Sequence, residues 1–114
     1  MKFSILIPTW NNLPYLKHCI SSIQTHSLAN HQIIVIANEG TDGTIEWLEE
    51  NNITYVHHPI NAGICTGLNS ATDLITENHI VYLNDDMYAL PNWDKSFADV
   101  ISQIGHIAFM LSGT

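Results

Sequence analysis

The sequence predicts an α/β protein, with a Rossmann-like, mostly parallel sheet covered by helices on both faces. Three observations predict it. Short runs rich in Ile, Val, Tyr and Phe recur along the chain, and between them lie stretches with apolar residues every three or four positions. Strands alternating with helices need crossover connections, and these lay the helices over a parallel sheet. Lastly, five polar or turn-rich stretches each follow an apolar run: "PTWNN", "NEGTDGT", "HPINAG", "NDDM" and "SGT". In open parallel sheets ligands bind beyond the carboxyl ends of strands, which is where these stretches fall.

The elements follow in order. "FSILI" (3–7) reads as a buried strand. The segment 13–26 carries Leu16, Cys19, Ile20 and Ile23 on one stripe, which predicts an amphipathic helix. "QIIVIA" (32–37) is a second strand, and Thr41 or Asp42 is expected to cap a helix through Ile45 and Leu48. "ITYVH" (53–57) is a third strand and "PINAG" (59–63) a loop. A helix from about Cys65 to Glu77 then presents Leu68, Ala71, Leu74 and Ile75. "HIVYLN" (79–84) is the fourth strand. Trp93, Phe97, Val100, Ile101 and Ile104 predict a further helix, and "HIAFMLS" (106–112) a last strand.

With 114 residues the chain is one domain or part of one. An apolar run with no polar tail is an abrupt ending. Residues 1–114 are therefore expected to be the N-terminal part of a larger domain. The opening "MKFSILIPTW" is too short and too soon broken by proline for a signal peptide, and no apolar run approaches a membrane span. A cytoplasmic location is expected, with peripheral membrane attachment left open. Three lysines, no arginine and a formal net charge of −8 exclude a nucleic-acid surface, which needs clustered cations. Cys19 and Cys65 lack C-x-x-C spacing and read as small residues of a reducing compartment.

Chemistry concentrates after the strands. With strand order 3-2-1-4, Thr9, Trp10, Asn38, Asp85 and Asp86 line one cleft; the plainer reading is that their loops are merely solvated. Two carboxylates at a strand end suit a hard divalent cation such as Mg²⁺ or Mn²⁺, and a chain this poor in lysine has little else to neutralise a diphosphate. Capping or simple exposure is the structural reading of the same pair. Trp10 can stack on a nucleobase or pack at a rim. Asn38 offers a donor and an acceptor to a base edge, or opens a turn. Gly63 and Gly67 open a helix where phosphate could approach, but neither a P-loop nor a dinucleotide fingerprint exists. His57 and His58 lack a third nearby ligand and read as a strand end.

Taken together, "SILIPTWNNLPYLKHCISSI", "IIVIANEGTDGTIEWLEE" and "NAGICTGLNSATDLITENHIVYLNDDM" resemble, in order and spacing, the opening motifs of the family 2 glycosyltransferases. The resemblance runs over nearly the whole chain. It implies the GT-A fold, here incomplete, and inverting transfer of a sugar from a UDP-, GDP- or dTDP-linked donor to the hydroxyl of a glycan or lipid acceptor. It implies that "NDD" is a variant of the metal-binding DxD motif. Asp86 is then the Mn²⁺ or Mg²⁺ ligand, Asp85 stands near ribose or metal, and Asn84 replaces the usual first aspartate. Pro8, Thr9 and Trp10 match the segment lining the nucleotide pocket, Asn38 the nucleobase contact, and Asn61 and Gly63 the loop beside the donor. Ala37 and Glu39 depart from the usual aspartate and glycine. The general base of such enzymes belongs to a later, acceptor-binding half, so none is expected here, and the chain alone is expected to be weakly active or inactive.

Three other classes compete with this reading. A non-catalytic nucleotide or nucleotide-sugar binding module, completed by a partner or by self-association through an open sheet edge, needs the same donor residues. A receiver domain needs an acidic pair after its first strand and a lysine near its fifth, neither of which this sequence has. A haloacid-dehalogenase-type phosphatase needs D-x-D-G-T after the first strand, where this chain has "PTWNN".

Overall fold

The computed structural model describes residues 1–104. Its centre is a four-stranded, wholly parallel sheet in the order β3-β2-β1-β4, with β1 Ser4–Trp10, β2 Gln32–Asn38, β3 Thr54–His58 and β4 Ile80–Tyr82. The expected order 3-2-1-4 is the observed one. Helices α1 (Leu13–His26), α2 (Thr44–Glu50), α3 (Ile64–Ser70) and α4 (Trp93–Ile104) complete the alternation. The strand expected at 106–112 lies outside the described residues.

Side chains alternate across a strand, and β1 uses both faces. Phe3, Ile5 and Ile7 turn to one side and pack with Leu16, Cys19, Ile20 and Ile23 of α1, Val35 and Ala37 of β2, Leu48 of α2 and Ile101 of α4. Leu6, on the opposite face, packs with Ile34, Ile36 and Ala71, against Val56, Leu68 and Ile75. Burial on both sides explains why these strands read as continuous apolar runs rather than alternating ones. Each fully buried Ile or Leu contributes on the order of 1.5–3 kcal/mol, and the central two strands hold half of them.

The helix over 65–77 is shorter than its periodicity predicts. α3 ends at Ser70, and a single 3₁₀ turn follows at Thr72–Leu74. Its own polar side chains compete for the backbone: Ser70 Oγ donates to the Gly67 carbonyl at 2.5 Å and Thr72 Oγ1 to that of Asn69 at 2.7 Å. Gln32 then takes over the frayed end, donating to the Leu74 carbonyl at 2.7 Å and accepting from the Thr76 amide at 3.0 Å. The two glycines of this region differ in purpose. A Cβ on Gly67 would stand 2.9 Å from Ile36 Cγ2, so Gly67 lets α3 close on the sheet. Gly63 has open space around it but a φ of +81°, which L side chains rarely adopt.

Asp94, in the first turn of α4, is 3 % exposed and anchors the helix to the turn after α1. It accepts from the amides of Leu28 (2.9 Å) and Ala29 (3.0 Å) and from His31 Nε2 at 2.8 Å. The Phe3 amide donates to His31 Nδ1 at 3.0 Å, so that nitrogen carries no proton and Nε2 is the donor to Asp94. Burial alone would raise the Asp94 pKa. The two amides and His31 outweigh it and hold the carboxyl below its usual value.

Candidate functional site

β1 and β2 stay paired to Trp10 and Asn38, whereas β1 and β4 are paired only to Leu6 and Tyr82. Pro8 supplies the reason. The even residues of β1 face β4 with their backbone groups, as Ser4 N donates to the His79 carbonyl and the Leu6 carbonyl accepts from Leu83. Pro8 is next in that series and has no N–H, so the ladder stops there. The chain beyond β4 is released into a turn closed by the Met87 amide on the Asn84 carbonyl at 3.1 Å. This turn holds Asn84, Asp85 and Asp86.

The two aspartates are not equivalent. Thr9, 3 % exposed, donates its hydroxyl to Asp85 Oδ2 at 2.8 Å, and Asp85 is half-buried. Asp86 is exposed and has no hydrogen bond or ion pair among the described residues. Beneath them, the Cys19 thiol of α1 donates to the Asn84 carbonyl at 3.7 Å. Burial, and then the negative charges of Asp85 and Asp86, push the Cys19 thiol up to about 12. Asn84 Oδ1 accepts from the Tyr82 hydroxyl at 3.0 Å. Lys95 pairs with Asp99 at 3.0 Å and Lys17 lies over the Trp47 ring, so neither compensates the acidic pair.

On the other face of the same edge, Trp10 and Asn38 are register partners. The Trp10 indole is 60 % exposed, and its Nε1 donates to the Glu39 carboxylate, to which Asn11 Nδ2 also donates at 3.4 Å. Glu39 has a φ of +61°, and its carbonyl accepts from His57 Nε2 at 2.7 Å. Asn38 is 5 % exposed, and its Oδ1 accepts from the Ala62 amide at 3.0 Å, which ties the "NAGI" loop to the strand end. Asn61 Oδ1 accepts from Gly63 at 2.9 Å. Thus Thr9, Asp85 and Asp86 gather on the α1 face of the edge, while Trp10, Asn38, Asn61 and Gly63 gather on the α3 face.

The N-cap expected at Thr41 or Asp42 falls on Gly43, but Asp42 still acts there. Its carboxylate accepts from the Thr44 amide at 3.2 Å and hydroxyl, and also from the Leu13 amide at 3.0 Å, at the start of α1. With the Thr41 amide donating to Asn11 Oδ1 at 2.9 Å, the loops after β1 and β2 are laced together. Sequence reasoning missed Asn11, Glu39 and Cys19 as parts of this edge. A glutamate where the motif has glycine was the one signal available. Among the described residues, no three His, Cys, Asp or Glu side chains cluster as a metal site by themselves. A cavity of about 500 Å³ between the end of α1 and the starts of β2 and β3 lies at the opposite edge of the sheet.

The family model "Glycosyl transferase family 2" matches residues 4–113. The chain belongs to this family. Among curated relatives, a putative colanic acid biosynthesis glycosyl transferase of Escherichia coli is 30 % identical over 78 % of the chain and 34 % of its own length. A poly(ribitol-phosphate) beta-glucosyltransferase of Bacillus spizizenii is 26 % identical over 82 % of the chain and 17 % of its own length. The GT-A architecture expected from the motifs is the one found in solved structures. TarS 1–349 of Staphylococcus aureus, in complex with UDP-GlcNAc, aligns with a TM-score of 0.75 at 22 % identity over 90 % of this chain and 32 % of that one. A mannosyltransferase of Pyrobaculum calidifontis, in complex with GDP-Man and Mn²⁺, aligns at 0.73 and 21 % identity over the same shares. This family 2 chain spans about a third of the length of the colanic acid relative and of an uncharacterized glycosyltransferase of Haemophilus influenzae.

Proposed function

We propose that the carboxyl edge of this sheet is the donor side of a glycosyltransferase that uses a nucleotide-diphospho-sugar and transfers the sugar, with inversion, to an acceptor hydroxyl of a glycan or lipid. The observation that carries the reading is a carboxylate pair without an ion pair among the described residues, on the same edge as an exposed tryptophan, in a chain of this family. On this reading 1–114 is the donor-binding part of a larger domain, and neither the acceptor site nor the general base is assigned to its residues. The UDP-GlcNAc and GDP-Man complexes of structural neighbours support a nucleotide-sugar donor without choosing the base.

The residues fit a divalent cation of the Mg²⁺ or Mn²⁺ type. Both donors are hard oxygens, Asp86 is open to solvent, and Asp85 Oδ1 makes no hydrogen bond among the described residues. Two carboxylates are a usual protein share for such ions, which otherwise keep water and bind substrate phosphates. Bound there, the cation would offset the charge of the departing nucleotide diphosphate. Trp10, held at its indole nitrogen by Glu39, offers a ring face to a base or ribose. Asn38 and the 61–63 loop would flank it, with Asn38 Nδ2 left to face the base.

Calorimetric titration of UDP, GDP and their sugars, with and without Mn²⁺, tests the reading. The expected result is metal-dependent binding that Asp86→Ala abolishes. Equal binding without metal, or binding indifferent to Asp86→Ala, removes the carboxylates from the donor site.

A further inference from the structure

We infer that Thr9 is a positioning residue: its buried hydroxyl sets the orientation of the Asp85 carboxylate before a divalent cation arrives, and Cys19 steadies the turn beneath it. The inference rests on the metal reading of the acidic pair and adds to it a division of labour.

A hydroxyl as buried as that of Thr9 needs a partner, because water cannot supply one. Valine would fill the same volume at this strand position, so packing alone does not call for threonine. Its partner is Asp85 Oδ2 at 2.8 Å, across 76 residues of sequence. An aspartate's terminal torsion is broad and roughly two-fold, so an unheld carboxylate samples many orientations. The Thr9 bond removes that freedom by fixing one oxygen and leaves Oδ1 available. The backbone is held as well, since the Asn84 carbonyl accepts from both Cys19 Sγ (3.7 Å) and the Met87 amide (3.1 Å). Asp86 has none of these restraints. Asp86 therefore collects the cation from solvent and Asp85 fixes where it sits.

Hydrogen bonds to a ligating carboxylate are worth about 10- to 100-fold in metal affinity in characterised sites. The test measures Mn²⁺ binding to the whole chain from the electron paramagnetic resonance signal of the free ion, beside the urea unfolding midpoint. Thr9→Val should weaken Mn²⁺ binding about tenfold or more with little change in midpoint, and Thr9→Ser, which keeps the hydroxyl, should hold most of the affinity. If Thr9→Val does not fold, Thr9→Ala against Thr9→Ser makes the same comparison. Unchanged affinity in the hydroxyl-free variant overturns the role of Thr9, as does a Thr9→Ser variant as weak as Thr9→Val. A wild-type chain that binds no Mn²⁺ sinks the metal reading itself, and this inference with it.

Discussion

Cys19 and Cys65 carry the same thiol and should behave as different reagents. Cys65 is exposed, whereas Cys19 is fully buried with its pKa raised from 9.0 to about 12. At pH 8 the native protein should take up one equivalent of iodoacetamide, at Cys65, and the Cys65→Ser variant close to none; mass spectrometry reads the count. The same shift gives a pH dependence with a definite sign. The folded state holds the Cys19 proton more tightly than the unfolded state, so this contribution is whole below about pH 9 and is lost as pH rises toward 12. The urea midpoint should therefore fall across that window, and fall less in Cys19→Ser. At this scale the sequence showed residue types but not partners. "NDD" announced two carboxylates and the motif it resembles set Asp86 before Asp85 as ligand, yet nothing in it showed that Asp85 is tied to Thr9 and Asp86 to nothing described. That difference depends on a contact 76 residues away.

Elements were more legible where burial was two-sided and less so where polar side chains compete with the backbone. β1, β2 and α1 lie close to where their patterns put them, whereas α3 lost its second half to Ser70 and Thr72. β4 pairs over Ile80–Tyr82 rather than 79–84 because Pro8 ends the ladder from the neighbouring strand. Two substitutions probe how the helices are held. Gly67→Ala gains about 1 kcal/mol of helix propensity but drives a Cβ within 2.9 Å of Ile36 Cγ2. Ile36 is β-branched and fully buried, so overpacking by about 1–3 kcal/mol should prevail and lower the urea midpoint. Asp94→Ala strands three donors in the turn after α1 and should cost more, about 3 kcal/mol or above.

For the molecule as a whole, eleven acidic residues stand against three lysines. Self-repulsion of this size should make the thermal midpoint rise with NaCl as the charges are screened. Specific binding adds to that by mass action. At matched ionic strength MnCl₂ should therefore stabilise the wild-type chain more than NaCl, and Asp86→Asn should lose the excess while keeping the screening response. An equal response to both salts would reduce the acidic pair to bulk electrostatics. Among the described residues no helix is long and apolar enough to cross a membrane. The chain spans about a third of the length of its curated Escherichia coli and Haemophilus influenzae relatives.

The sequence by itself determined the alternation of strands and helices, the parallel sheet and its family, because these follow from apolar periodicity and from motifs whose residues are near neighbours. Tertiary structure decided where the fourth strand stops, which face of the edge each candidate residue joins, and which aspartate is held. Those outcomes depend on a proline in one strand ending the pairing of another, and on a buried hydroxyl meeting a carboxylate from the far end of the fold.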